Sequence, residues 1–347
     1  MCEKSTYNEV IGVIHVHFPL KRAKEYFYKI SEQSKKAKID FVILTSHTPK
    51  RESYKEKYKE IFELEGYYND ILIIHSEEVD KNKKNHFILF GNDNWTNEKD
   101  IENILNEKEK FMKFVVHPFG KHRLFFFKKE YKWKKWNSFF DGLEVWSCLF
   151  DWANKTKVYN IPLRYLFFPL NLDVPDQKVL KKWDDLNFIR KISGFAGLDI
   201  HCLPLFFKIL DIKKNFSYKK IFKTLRNHIY LRERLTKNFE KDKTDILEAI
   251  KKGNLFFAND YIFNSSGFYF GEKNGKYICG DRGKVGDVLL IRNPFKTRTN
   301  LIKNGKIIVD ELIEEKEIEI EKEGNYRVEV FVNDKKWIFS NNIYIRS

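Results

Sequence analysis

Between residues 15 and 201 the chain repeatedly places a histidine or a carboxylate at the end of a short apolar run. The five runs are VIGVIHVH, FVILTSH, ILIIHSEE, FVVHPFG and FAGLDIH. Short runs of Val, Ile, Leu and Phe are typical of buried parallel strands, and barrel enzymes place their chemistry at the rim just past the strand ends. The pattern therefore predicts a polynuclear metal site at one rim of a barrel.

Spacing within the runs indicates which side chains can share an ion. His15 and His17 are two residues apart, so on an extended strand they point to the same face and can hold one ion together. Asp199 and His201 have the same spacing. The other candidates are His47, Glu77 or Glu78, and His117 at run ends, and His86, which opens its run HFILFG.

The types of these side chains limit the metals. Imidazole and carboxylate ligands suit zinc, manganese and iron, and the absence of cysteine from these strand ends disfavours a thiolate site. Two neighbouring divalent ions would share a bridging carboxylate and a bridging water, which makes hydroxide available near neutral pH. The four cysteines form no CxxC pair, so we expect neither a disulfide framework nor a zinc knuckle.

The composition is that of a globular protein with a strong positive charge. The 347 residues are 42% hydrophobic and 33% charged, and no apolar run approaches the roughly 18 residues of a membrane span. The segment MCEKSTYNEV is not a secretory signal, so we expect a cytoplasmic protein without a membrane partner. The net charge of +15 attracts anions, so both a phosphate-bearing substrate and nucleic acid fit, and we favour a small anionic substrate.

Strand-like and helix-like segments alternate from residue 8 to about 205, as in LKRAKEYFYKISEQSKKAK. A βα barrel fits better than an open sheet, because candidate ligands come from nearly every strand and must converge. Residues 217–253 are predicted to form two further helices, with Thr244 as an N-cap and Gly253 as a C-terminal stop. The predicted strands span residues 10–17, 40–45, 70–75, 86–90, 113–116, 142–145 and 193–198.

After about residue 260 short strands and turn residues replace this alternation, which predicts an antiparallel sandwich. Asn304-Gly305 is a strong signal for a hairpin turn. The last histidine of the sequence is His228, which precedes these strands, so we expect the chemistry to belong to the first part of the chain. We predict an α/β fold with a seven-stranded TIM-like barrel over residues 1–260 and a small immunoglobulin-like β-sandwich over residues 261–347.

The ordered fragments resemble the polymerase and histidinol phosphatase (PHP) family of metal-dependent hydrolases. The resemblance covers about residues 10–205 and rests on IHVH, TSHTP, SEEV, HFILFG, VVHPFG and LDIH, all in the family's order. It implies a distorted barrel with two or three metal ions at the C-terminal rim. It further implies a first ion held by His15, His17, Glu78 and Asp199, a second held by Glu78, His86 and His117, and a third position at His47 and His201.

The chain departs from the family pattern at two acidic positions. Residues 18–23 contain no acidic residue, and Ser46 stands where the family has an aspartate. A third ion would have only two neutral histidines, so we predict two divalent ions and a third that is weak or absent. His47 and His201 are then left to bind the substrate oxyanion or to protonate the leaving group. Val79 after Glu78 matches the family and favours Glu78 over Glu77 as the ligand.

The C-terminal part resembles the β-domain of the carbaryl hydrolase-like branch of that family, through GNYRVEVFV and KWIFSNNIYI. We predict a metal-dependent phosphoesterase that hydrolyses a nucleotide or sugar phosphate with a metal-bridged hydroxide. One alternative is hydrolysis of a carbamate, ester or amide at the same site. A second alternative is a degenerate barrel that binds nucleic acid or a protein.

Several further residues have weaker signals. Glu144 ends a strand at the same rim and could orient a ligand histidine or contact the substrate. Lys121, His122 and Arg123 follow the His117 motif and could clamp a phosphate. Residues 121–140 interleave aromatics with lysines, which is typical of an amphipathic helix covering the barrel, of a nucleic-acid groove or of a membrane-surface contact. His75 is predicted to be structural, and His228, in a helix-like basic segment, is predicted to be inert.

Overall fold

Seven strands from the first two-thirds of the chain close into a barrel. The computed structural model describes residues 7–81, 84–97, 101–107, 111–124, 127–172, 174–200 and 217–347. The strands in this part are β1 (Asn8–His17), β2 (Phe41–His47), β3 (Gly66–Tyr68), β4 (Ile71–Lys81), β5 (Lys84–Phe90), β6 (Met112–Val115), β7 (Lys121–Leu124), β8 (Phe127–Glu130), β9 (Gly142–Ser147), β10 (Ser193–Ile200) and β11 (Leu225–Leu231).

Helices lie between these strands. The described helices are α1 (Ala23–Ala37), α2 (Glu52–Lys57), α3 (Ile101–Asn106), α4 (Cys148–Asn154), α5 (Ile161–Leu166), α6 (Gln177–Ile189), α7 (Tyr218–Ile221) and α8 (Phe239–Lys252). Short 3₁₀ turns cover Leu20–Arg22, Lys59–Leu64 and Val158–Asn160. Within the described ranges, no helix has both the length and the apolar character needed to cross a membrane.

The barrel closes in the order β1, β2, β4, β5, β6, β9 and β10, with β10 pairing back to β1. These are the seven strands predicted from the sequence. Every pairing is parallel except those of β5, which runs antiparallel to both neighbours. The first residues of β5 therefore lie at the same rim as the last residues of the other strands, which explains why His86 opens its apolar run.

The barrel strands are apolar throughout because they are buried on both faces. Residues 41–44 of β2 and 72–74 of β4 are completely buried. Such strands pack against the barrel interior on one face and against helices on the other. Helix α1 supplies part of this cover, since Phe27 and Ile30 on its inner face belong to the same buried core.

Residues 217–253 differ from the prediction of two helices. β11 lies between α7 and α8 and pairs antiparallel with the first half of β1. Every residue of β11 is buried, so pairing within the sheet outweighs the helix preference of this basic segment. Helix α8 begins at Phe239 with Asn238 as its N-cap, so the prediction of Thr244 as the cap is wrong. Gly253 ends α8 with φ 76°, as predicted.

The basic, aromatic stretch 121–140 also differs from its prediction. β7 and β8 pair as an antiparallel hairpin, and the described residues after β8 form turns and irregular structure. An amphipathic helix over this stretch is therefore wrong. The two short strands pair through their backbones. The repeated lysines conceal the alternation of polar and apolar residues that would predict a strand.

Beyond residue 254 the chain forms mainly antiparallel strands. Asn304 and Gly305 join two of them with φ 50° and 77°, which confirms the predicted hairpin turn. The strands are β12 (Leu255–Asn259), β13 (Tyr269–Glu272), β14 (Arg282–Lys284), β15 (Val288–Lys303), β16 (Lys306–Glu319), β17 (Gly324–Val332), β18 (Lys335–Ser340) and β19 (Ile343–Arg346).

β12 connects the two parts of the chain. It pairs with β11 on one side and with β18 on the other, so the hydrogen-bonded sheet continues across residue 260. The strands beyond residue 260 surround a second apolar core, to which Tyr230 of β11 and Phe256 and Ala258 of β12 also belong. The division into domains at residues 260 and 261 and the sandwich arrangement of the second part stay predictions.

Buried polar side chains fasten the C-terminal strands to β10 and α6. The Arg327 guanidinium donates to both carboxylate oxygens of Asp184, at 2.7 and 2.8 Å, and to Glu329 at 2.6 Å. The side-chain amide of Asn341 accepts a hydrogen bond from the Gly194 nitrogen at 2.7 Å and donates to the Gly194 carbonyl at 2.9 Å. These contacts satisfy buried polar groups and fix the start of β10.

We expect Arg327→Ala to destabilise the protein by about 3–5 kcal/mol, because it leaves the largely buried carboxylate of Asp184 without its cation and that of Glu329 with Lys336 alone. Urea unfolding followed by tryptophan fluorescence measures this loss. The matched control is Arg298→Ala, which removes an exposed ion pair with Asp310 and should have a much smaller effect. Equal losses for the two variants would contradict a role for Arg327 in joining the two parts.

Candidate metal centre

His15 is the extra residue of a β-bulge in β1. The residue pairs on either side of it are consecutive on β2 but separated by one residue on β1. Its backbone has φ 66°, a left-handed conformation that a residue with a side chain rarely adopts. Although the bulge interrupts the simple alternation of the strand, both His15 and His17 direct Nε2 toward the same carboxylate, that of Glu78.

Glu78 lies at the centre of the rim, with five imidazoles around its buried carboxylate. One oxygen, Oε1, is 2.7 Å from His86 Nδ1 and 3.1 Å from His117 Nε2. The other oxygen, Oε2, is 3.2 Å from His17 Nε2, 3.2 Å from His47 Nδ1 and 3.4 Å from His15 Nε2. The carboxylate therefore presents one oxygen to each of two groups of histidines.

Asp199 completes the first group. Its Oδ1 lies 3.5 Å from His15 Nε2 and 3.4 Å from His17 Nε2. Two sets of side chains result, each with candidate ligand atoms within 4.8 Å of one another. The first set is His15, His17, Glu78 and Asp199, and the second is Glu78, His86 and His117.

The donor set fits divalent cations. Imidazole nitrogens and carboxylate oxygens are the ligands that zinc, manganese and iron accept, and all six side chains are buried. A carboxylate has about four lone-pair sites, so five imidazoles cannot all be satisfied by hydrogen bonds to Glu78 alone. Cations between the nitrogens and the oxygens would satisfy both, and Glu78 is placed to bridge them.

The backbone around the cluster is strained at three points. His15, His117 and Asp199 have φ 66°, 31° and 48°. Positive φ values at residues other than glycine cost roughly 1–3 kcal/mol each and concentrate at functional sites. The conformations of these three residues indicate that placing their side chains takes precedence over regular strand geometry.

Glu144 lies behind the cluster and holds two of its members. Its Oε1 accepts from His15 Nδ1 at 3.0 Å, and its Oε2 accepts from the His117 backbone nitrogen at 2.7 Å. A proton held on His15 Nδ1 leaves Nε2 to face Glu78 and Asp199. A Cβ atom on Gly197 would come within 1.8 Å of Glu144 Oε1, so this strand position has room only for glycine.

Electrostatics in the cluster favour an ionised Glu78. Burial alone would raise the pKa of Glu78, but the charge of His47 and hydrogen bonds from the other imidazoles hold that pKa well below its usual value. Burial lowers the pKa of His15, yet the charges of Asp199 and Glu144 outweigh it and raise that pKa well above its usual value. Hydrogen bonds to Asp199 and Glu78 likewise raise the pKa of His17 against the effect of burial.

Glu77 and Glu78 face opposite sides of β4, as neighbours on a strand must. The Glu77 carboxylate accepts hydrogen bonds from the hydroxyl of Thr48 at 2.6 Å, from that of Thr96 at 2.8 Å and from the side-chain amide of Asn92 at 2.9 Å. These bonds hold the Glu77 carboxylate on the side of β4 that faces away from the histidines. The geometry thus brings Glu78, and not Glu77, into the cluster.

His47 lies at the mouth of the site. Its side chain is 44% exposed, whereas the other four imidazoles around Glu78 are nearly or fully buried. Its ring stacks on that of His17 with centroids 4.6 Å apart. Partial desolvation beside the cluster, with the charge of His17, lowers the pKa of His47 although Glu78 opposes the shift. His47 can therefore reach both the cluster and an incoming molecule.

The remaining predicted residues lie elsewhere or outside the described part. His201 is not among the described residues, and the structure describes the backbone of His122 and Arg123, within β7, but not their side chains. Lys121 starts β7, four residues after His117. His75 packs beside Phe62 with its Nε2 3.2 Å from the Ser46 hydroxyl, and burial lowers its pKa to about 3, which suits a structural residue.

His228 lies far from the cluster, on β11. Its Nδ1 contacts Glu9 at 2.5 Å, and its Nε2 contacts Asp260 at 3.1 Å. Burial opposes its protonation, but Asp260 and Glu9 raise the pKa of His228 to about 9. The charged imidazole therefore joins β1, β11 and the segment after β12, within a fully buried environment.

Two aromatic residues at the site have no signal in the sequence pattern. Phe150 of α4 stacks on His117 with ring centroids 4.3 Å apart, and Tyr131 meets His86 edge to face at 5.1 Å. Both rings limit the positions that the histidines can adopt. Their chain positions, one in a short helix and one after a hairpin, follow no strand-end rule, so only the fold places them here.

Comparisons with solved structures give a distant likeness. A scan against protein-family models and a search of curated proteins both find no match. A solved structure from Bacteroides vulgatus, a two-domain protein containing a predicted PHP-like metal-dependent phosphoesterase, matches over 97% of this chain and 96% of its own. The two chains are 13% identical and the TM-score is 0.44, a likeness too distant to carry an argument about function.

We expect Glu144→Ala to weaken binding of a divalent cation by about 10–100-fold, because His15 loses the partner that orients it. Glu144→Gln should lose less, since the amide oxygen can still accept from His15 Nδ1. Gly197→Ala should reproduce the loss by displacing the carboxylate. Competition with a chromogenic chelator measures the affinities. An unchanged affinity in Glu144→Ala would show that His15 needs no such support.

We also expect affinity for a divalent cation to fall as the pH is lowered. A histidine ligates a metal in its neutral form, and the raised pKa values of His15 and His17 mean that protons compete for both nitrogens at neutral pH. Binding should release protons, and calorimetry in buffers of different ionisation enthalpy counts them. Binding without proton release, and with no dependence on pH, would be inconsistent with ligation by these two histidines.

Proposed function

We propose that this protein is a metal-dependent hydrolase that cleaves a phosphoester in a small anionic molecule, such as a nucleotide or a sugar phosphate. The observation that carries the proposal is the position of Glu78. Its two oxygens face two separate groups of buried histidines, an arrangement that suits a carboxylate bridging two cations. The ordered motifs of the sequence, which resemble those of the PHP family, support the same assignment.

The candidate ligands divide between the two positions as the contacts indicate. One cation would be held by His15, His17, Asp199 and one oxygen of Glu78, and the other by His86, His117 and the second oxygen. Divalent ions held there would make hydroxide available near neutral pH and would stabilise charge that develops on the phosphoryl oxygens. Zinc, manganese and iron all suit this donor set. The absence of an acidic residue at Ser46 supports a weak or absent third ion.

The protein's own side chains would orient the substrate and move protons. His47 is exposed at the mouth and can donate a hydrogen bond to a phosphoryl oxygen or exchange a proton with the leaving group. We assign the same kind of role to His201, which follows Asp199 by two residues. Glu144 would act indirectly, by holding the His15 ring in its orientation.

A basic cavity beside the site favours an anionic substrate. A cavity of about 560 Å³ has three lysines and one carboxylate in its lining, which consists of Lys121, Lys132, Lys178, Asp176, Asn154, Phe119 and Trp133. Phe119 also lines a smaller adjoining cavity that reaches His117. Lysine ammonium groups attract phosphate oxygens, and the aromatic rings offer a surface to an apolar or ring-shaped group. Hydrolysis of a carbamate, ester or amide remains the alternative for the same centre.

We expect Glu78→Gln to lose most bound metal. Turnover should fall by more than about 100-fold, since loss of a residue that only supports a ligand already costs about 10–100-fold. Glu77→Gln is the matched control, since it changes the adjacent carboxylate on the opposite face of β4 and should retain metal and activity. Metal content is measured by elemental analysis. Turnover is measured with p-nitrophenyl phosphate, bis-p-nitrophenyl phosphate and an activated carbamate.

The outcomes separate the candidate functions. Phosphate release that depends on Glu78 supports the phosphoesterase, whereas turnover of the carbamate alone would favour the alternative hydrolase. Protein that neither contains nor takes up manganese, zinc or iron would exclude both. Strong, salt-dependent binding of nucleic acid, unchanged in Glu78→Gln, would instead indicate a degenerate barrel that acts as a binding module.

A further inference from the structure

An apolar face is exposed to solvent in the segment that follows α4. Isolated exposed apolar side chains are common, but several together on one face usually mark a contact surface. The segment begins with the turn Val158–Asn160 and continues through α5. Its exposed side chains are Tyr159 (77%), Leu163 (59%), Leu166 (63%), Phe167 (51%) and Leu170 (59%).

Helical geometry places these side chains together. Turns follow α5, in which the Phe167 nitrogen donates to the Leu163 carbonyl at 3.0 Å and the Asn171 nitrogen to the Phe167 carbonyl at 3.3 Å. Residues three, four and seven positions apart share one face of a helix. Leu163, Leu166 and Phe167 have this spacing, and Tyr159 lies one turn before Leu163. Leu170 is exposed in the turn that follows the cis Phe168–Pro169 peptide bond.

The opposite face of the segment is attached to the protein, which fixes the apolar face outward. The Arg164 guanidinium donates to the Thr156 hydroxyl and to the Trp152 carbonyl, both at 3.0 Å. Phe168 is buried and meets the Trp152 ring edge to face. The segment therefore cannot turn its apolar residues inward without breaking these contacts.

Basic residues border the apolar face. Lys155 and Lys157 are exposed at the start of the segment, and the Lys157 ammonium lies 5.8 Å from the centre of the Tyr159 ring. The whole chain carries a net charge of +15. An apolar face with a basic border complements an anionic lipid surface, where leucine and phenylalanine enter the acyl boundary while lysines remain among the head groups.

The face also lies near the rim that carries the candidate metal centre. Helix α4 follows directly from β9, which contributes Glu144 to that rim, and Phe150 of α4 stacks on His117. The apolar segment begins only a few residues after α4 ends. A surface bound through this segment would therefore be close to the mouth of the barrel.

We propose that residues 155–170 form a docking surface for an anionic lipid bilayer. The segment would lie in the head-group region without crossing the membrane, held by the apolar face and by the attraction of Lys155 and Lys157 for anionic lipids. This proposal is independent of the chemistry at Glu78, since neither the apolar residues nor the two lysines belong to the metal centre.

Co-sedimentation of the full chain with vesicles tests the proposal. We expect binding to vesicles of phosphatidylcholine with phosphatidylglycerol and much weaker binding to phosphatidylcholine alone. Leu163→Ser with Leu166→Ser and Phe167→Ser should reduce binding by more than about tenfold. Lys155→Ala with Lys157→Ala should reduce binding only to the anionic vesicles. Hydrolytic activity and metal content should be unchanged in both variants.

The matched control is Phe188→Ser with Ile189→Ser, which removes two even more exposed apolar side chains from the end of α6 and should leave vesicle binding intact. Circular dichroism checks that every variant is folded. An equal loss of vesicle binding in the control would mean that any exposed apolar side chain contributes non-specifically, and would overturn the proposal. Absence of binding to either vesicle would also overturn it. Sedimentation velocity would then show whether a second copy covers the face, and hydrogen exchange whether residues 201–216 do.

Discussion

The buried carboxylate of Glu78 is the constraint on which the rest of the centre depends. A buried anion is costly unless it is fully compensated, and here the compensation comes from imidazoles on β1, β2 and β5 and from His117 just after β6. β4 must therefore lie where histidines from several other strands can contact the Glu78 carboxylate. Its position between β2 and β5 in the closed barrel meets that requirement, because strand ends converge at one rim.

Convergence on one carboxylate explains the departures from regular barrel geometry. β5 runs antiparallel to its neighbours, so that His86 near its start lies at the rim where the other strands end. β1 contains a bulge at His15, and His15, His117 and Asp199 all have positive φ. The cost of such conformations, roughly 1–3 kcal/mol each, must be offset by the apolar core beneath. The fully buried side chains of β2 and β4 supply that core.

The sequence predicts the barrel well because its strands are buried on both faces, so that apolar runs coincide with strands. It predicts the candidate site because strand ends in a barrel share a rim. It cannot reveal the bulge at His15, since a run such as VIGVIHVH contains no residue that requires one. The sequence does not predict β11 because the basic segment around it, YKKIFKTLRNHIYLRERLT, is typical of a helix, and only pairing with β1 makes it a strand. The exposed face at Leu163 has the composition of a core segment, so only burial distinguishes the two.

The C-terminal strands have a structural consequence for the centre. β10 carries Asp199 near its end, and its start is held by the Asn341 amide through both backbone groups of Gly194. Arg327 ties the same strands to α6, the helix that leads into β10. Because Gly197, in the same strand, leaves the space that Glu144 occupies, a shift of β10 would disturb both Asp199 and the support of His15. We infer that the C-terminal strands brace the candidate metal centre through β10, although none of their side chains enters it.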